Sequence, residues 1–153
     1  VTDRGLDHGA WSPLYLIYPD CDIPVAQLTV EIMQDAQYHY DIGEKLMPLR
    51  KEGVMIIGSG SCTHNLGDIQ FFGENPSKWA IEYENWFVNA INHNNHAEII
   101  HADERAPHFR HAHPRLEHWL PLYVPMGAAK EKATLLHRGM EHKNLSMASV
   151  RFD

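Results

Sequence analysis

Cysteine is scarce: Cys21 and Cys62 are the only two in 153 residues. Two thiols cannot build a disulfide framework, and isolated thiols fit a reducing compartment, so the expected location is cytoplasmic. The opening VTDRGLDHGAW has no charged-then-apolar leader, in keeping with that expectation. Basic residues are outnumbered, with 13 Lys and Arg against 20 Asp and Glu and a formal charge of −7. No basic stripe is present to neutralise phosphates, so no nucleic-acid partner is expected. No apolar run approaches the ~18 residues that span a bilayer, so no membrane partner is expected either. The local zinc signatures are missing too: there is no Cys-x-x-Cys and no His-Glu-x-x-His.

Histidine, by contrast, is abundant. There are 12, and His101, His108, His111, His113 and His118 fall within one short window. Histidine is the common proton carrier near neutral pH and a common metal ligand. The length suits one domain burying roughly 70% of its unfolded surface. A hydrophobic share of 44% and a charged share of 22% place the chain among ordinary globular proteins.

The pattern along the chain alternates. DIPVAQLTV, 22–30, reads as a strand from its β-branched residues. DAQYHYDIGEKLMPLRKEG follows at helical spacing through Tyr38, Ile42, Leu46 and Leu49, with Asp35 as N-cap and Gly53 as C-terminal cap. Pro48 kinks its last turn. VMIIG, 54–58, is a short continuous apolar strand of the kind covered on both faces. FGENPSK is a surface loop. NPSKWAIEYENWFVNAINH is a helix capped by Ser77, with Trp79, Tyr83, Trp86 and Ala90 on one face. HAHPRLEHWLPLYVPMGAA, 111–129, reads as a helix starting at Pro114, and NLSMASVRF as a closing strand. The order strand–helix–strand–helix–helix–strand argues for an α/β sandwich. In such sheets the ligand site lies off the carboxyl ends of the strands.

GVMIIGSGSCTHNLGDI, residues 53–69, places His64 just past such a strand end. Three readings compete. The Gly58-Ser59-Gly60-Ser61 loop suggests a phosphate cradle, but no P-loop lysine follows and the third dinucleotide glycine is absent. Cys62 and His64 suggest a nucleophile and base, but residues two apart rarely face each other, and such enzymes draw the histidine from elsewhere. The third reading gives His64 to a metal or to proton transfer, with Asp7-His8-Gly9 and Glu117-His118 on separate loops as company. Two histidines and a carboxylate make a common mononuclear iron site.

The stretches GLDHGAWSPL, HYDIGEKLMPLRKEGVMIIGSGSCTHNL, HPRLEHWLPLYVPMGAA and NLSMASVRF together resemble the class III extradiol ring-cleavage dioxygenases (the LigB-like superfamily), in the DOPA 4,5-dioxygenase-like branch. The resemblance runs in order over nearly the whole chain. It implies a three-layer α/β sandwich around a central, mostly parallel or mixed sheet. It also implies an oxidoreductase that opens a catechol-type ring with O2 at a mononuclear non-haem Fe(II), with zinc found bound in some members. Carried over residue by residue, His64 is the acid/base or lies against the metal, and His118 is at the metal beside the substrate. His8 lines the substrate and oxygen side as a further catalytic group, and Glu117 adjoins His118. Family chains are longer, and their N-terminal part carries two metal-anchoring histidines. The expectation is that 1–153 is a single domain, the C-terminal portion of the catalytic domain. Its sheet is then incomplete without an N-terminal segment, and that segment or a second chain supplies the two ligands. Two alternatives stand beside it: a metal-binding module built on the 101–118 histidines, and a degenerate member kept as an interaction module.

Overall fold

A computed structural model describes residues 5–72 and 75–153; Gly73 and Glu74 of the FGENPSK loop lie outside the described residues. The chain divides into two compact units, residues 1–31 and 32–153.

In the first unit, α1 (His8–Ile17) begins after Asp7. The Asp7 carboxylate does not cap the helix. It accepts from Gln27 Nε2 at 2.8 Å, while the Asp7 amide donates to Gln27 Oε1 at 3.0 Å. This pair folds the 22–30 segment back toward the start of α1. That segment joins no ladder among the described residues, contrary to the strand expected there, and Ile23, Val25 and Leu28 are exposed.

The second unit is mixed α/β. Asp35 accepts from the Tyr38 amide and starts α2 (Ala36–Leu46). A 3-10 turn, Met47–Glu52, then follows and ends at Gly53 in the left-handed region, φ +84°. Both ends match the sequence expectation, and Pro48 sits in the first turn of the 3-10 segment, where its missing amide costs nothing. The buried face of α2 is His39 and Gly43 rather than Tyr38, which is exposed. Glycine sets this face. A Cβ on Gly43 would collide with the Val124 carbonyl, and one on Gly127 with the Tyr40 carbonyl. The backbones of α2 and α7 (Tyr123–Ala129) therefore meet directly.

The core gathers on α3 (Lys78–Asn92), through Tyr83, Phe87 and Ile91. Trp79 and Trp86 sit at the margin of that face, with their indole N–H groups donated to Asp68 and Glu98. Short helices α4 (His96–Ile100), α5 (Ala102–Arg105) and α6 (Phe109–Ala112) follow. The expected 111–129 helix is broken. Pro114 lies in an exposed irregular stretch, and a 3-10 turn, Leu120–Leu122, leads into α7. Trp119 packs its ring against Tyr83, Phe87 and Phe109 at 5.7–6.1 Å. It also donates Nε1–H to the Tyr123 hydroxyl, which donates to Ile99 O.

Four strands follow: β1 (Ala133–His137), β2 (Met140–Glu141), β3 (Leu145–Ser146) and β4 (Ser149–Phe152). The closing strand is thus two, and both ladders among the described residues, β1–β4 and β2–β3, are antiparallel. The parallel pairing expected from the sequence is not formed here. The tight turn between β2 and β3 allows only an antiparallel pair, since a parallel one needs a crossover of a dozen or more residues. Residues 54–58 make no ladder either, and Val54, Met55 and Ile57 are exposed at 45%, 67% and 49%.

Candidate active site

His64 and His118 come together. Their imidazoles stack at a centroid separation of 3.5 Å with planes 20° apart, and both residues are half-buried. Two segments are stitched to achieve this. The Ser61 amide donates to His118 O, and the His64 amide to Ala112 O, each at 2.9 Å. Asn65 Nδ2 donates to His111 O at 2.8 Å. The approach is close enough that a Cβ on Gly60 would collide with the His118 carbonyl and one on Gly58 with the Pro121 carbonyl. The glycines of GSGS are therefore a backbone contact surface.

Beneath the pair, His113 is 1% exposed and donates Nε2–H to Cys62 O at 2.9 Å. Cys62 is buried, and burial pushes its thiol up to about 12, which leaves it no thiolate for nucleophilic work. A buried polar network supports the loop from the other side. Thr63 Oγ1 donates to Asn144 O and accepts from the Ser146 amide. Ser146 Oγ donates to Glu84, and Arg138 Nε donates to the second Glu84 oxygen.

The electrostatics favour neutral imidazoles. Burial lowers the pKa of His64 below the ordinary histidine value; the neighbouring His118 lowers it further, and Glu117 opposes. Burial takes His113 down to about 4. A neutral His64 is a proton acceptor at pH 7.

The other histidines of the window disperse. His108 donates to Glu82, His111 to Asp68, and His101 is exposed. Glu117 pairs with Arg115 at 2.9 Å. Among the described residues no three His, Cys, Asp or Glu side chains gather as a metal site. His64 and His118 offer two imidazoles, short of a two-histidine, one-carboxylate set, so these residues alone do not fit a mononuclear metal. His8 opens α1 in the first unit and is exposed. His113 stood out in the sequence only as one of the clustered histidines, not as a partner of Cys62, and the Thr63–Asn144–Ser146–Glu84 network had no signal there. Their partners are brought in from many residues away.

A family model described as the catalytic LigB subunit of aromatic ring-opening dioxygenase matches residues 1–153. The chain belongs to the LigB family. Among curated relatives of this LigB chain, the 4,5-DOPA dioxygenase extradiol of Beta vulgaris is 43% identical over 97% of it. The protein of the same name in Escherichia coli K12 is 34% identical over 96%. The LigB chain spans 56% of the length of either relative. A crystal structure of an uncharacterised Escherichia coli K12 protein superposes with a TM-score of 0.83 at 33% identity. It covers 96% of this chain and 62% of that one.

Proposed function

We propose that the chain is part of an extradiol ring-cleaving dioxygenase that acts on a catechol-type, DOPA-like aromatic with O2. The stacked His64–His118 pair is the observation that carries this reading. Catechol must lose a hydroxyl proton to bind as an anion, and a neutral, partly desolvated His64 accepts it. The same group can return that proton later, as one residue acting first as base and then as acid. His118, stacked on the His64 ring, would lie at the metal and beside the substrate, the place the family resemblance gives it. The mononuclear metal would be Fe(II), with zinc as an alternative occupant, and would activate O2 beside the ring. Its remaining ligands, two histidines, come from the rest of a longer polypeptide or from a second chain, in keeping with the 56% span. The same completion would make residues 22–30 and 54–58 inner strands of a three-layer sandwich, which their exposed apolar side chains support.

The test is oxygen consumption by the full-length protein with Fe(II), on a catechol and on its 1,3-diol isomer. Uptake with the catechol, together with a coloured ring-opened product, is expected. Absence of uptake with every catechol sinks the reading and favours the interaction-module alternative.

A further inference from the structure

We infer that His113 is a positioning residue: its Nε2–H, donated to the Cys62 carbonyl, sets the spacing at which the His64 loop faces His118. The inference rests on the role given to His64 above. Its physical basis is the cost of having a histidine at that place. The ring is 1% exposed and wedged against Trp119, Tyr83 and Phe109, at centroid distances of 5.0, 5.6 and 5.7 Å. Its Nδ1 is buried with no partner among the described residues. An orphaned buried nitrogen is unfavourable, and a phenylalanine would fill the same aromatic slot without it. What the imidazole adds is one donor, aimed at one acceptor.

That acceptor lies two residues before His64, between the Ser61 and His64 amides that bond to the facing segment. The donor lies five residues before His118, on that facing segment. The bond is therefore a strut between the two backbones that carry the stacked rings. The partner of Nε2 is a carbonyl oxygen, which can only accept, so the proton sits on Nε2. His113 touches neither ring of the pair by any hydrogen bond, and its effect passes through Cys62.

Two variants of the full-length protein test the strut. His113→Phe keeps the ring and removes the donor, and His113→Gln keeps an amide N–H of similar reach. The Phe variant should lose about 10–100-fold in kcat with KM little changed, as expected when a reacting group is misplaced by a fraction of an ångström to an ångström. The Gln variant should recover most of that loss. Amide hydrogen exchange at Ser61 and His64 should quicken in the Phe variant alone, with the α3 core unchanged. If Phe does not fold, His113→Met replaces it, with no donor and similar volume. Equal kcat and equal exchange in the Gln and donor-less variants, whether both match the parent or both fall short, would overturn the inference. The exchange comparison decides the strut even if the parent shows no oxygen uptake, an outcome that would count against the dioxygenase reading instead.

Discussion

Gly60 carries more of this site than its lack of a side chain suggests. A methyl group there meets a backbone carbonyl, which cannot swing away, so the two histidine-bearing segments must separate. Gly60→Ala should cost about 1–3 kcal/mol, read as a lower denaturation midpoint, and should reduce turnover at the same time. Gly53 is the control. Its φ is +84° but its Cβ position is open, so Gly53→Ala should cost only the left-handed strain, about 1 kcal/mol, and leave turnover alone. Equal effects at the two positions would contradict the close-approach account. His113 adds a pH dependence. Its folded pKa of about 4 lies below the ordinary 6.5, so the unfolded chain binds the extra proton between those values. Stability from this group is therefore complete above about pH 6.5 and falls as pH drops toward 4, by about 3 kcal/mol in all. Denaturation series in that window should slope less in His113→Phe than in the parent. An unchanged slope would show that other groups carry the acid sensitivity.

At the scale of elements, the network under the loop predicts a specific weakness. Thr63→Val keeps the shape but orphans the Asn144 carbonyl and the Ser146 amide, both buried. The expected loss is about 3 kcal/mol in urea denaturation, and a loss under about 1 kcal/mol would mean that other partners replace the hydroxyl. The legibility of each element follows from how local its causes are. The start of α2 and the end of the 3-10 turn that follows it were readable because Asp35 and Gly53 act on their own neighbours. The buried face of α2 was not, because helix contact there runs through Gly43 and Gly127, and a search for large apolar residues passes over glycine. The 111–129 segment kept its apolar spacing yet split, because three prolines remove amides that one long helix would need. Pro125 survives inside α7 as its third residue, where no intrahelical bond to its nitrogen is required. β1 was missed altogether, since its ladder with β4 is a pairing of distant residues.

For the whole molecule, the sequence marked 22–30 and 54–58 as strands, and the described residues give neither a ladder. Composition reports the propensity of a segment, whereas a strand also needs a partner. In the complete protein, the amides of residues 54–57 should exchange slowly, as in a central strand, and fast exchange there would contradict the sandwich. The site was legible to a similar degree. His64 and His118 stood out through the resemblance of their segments to the family, and the structure stacks their two rings. Their support by His113 and Thr63 could not be read, because those contacts depend on tertiary packing. The central claim is that His64 moves the catechol proton, and kcat of His64→Phe in the full-length protein tests it most directly. The account predicts a loss of about 10²–10⁴-fold with an unchanged melting temperature. A variant that turns over catechol at the parent rate would contradict it.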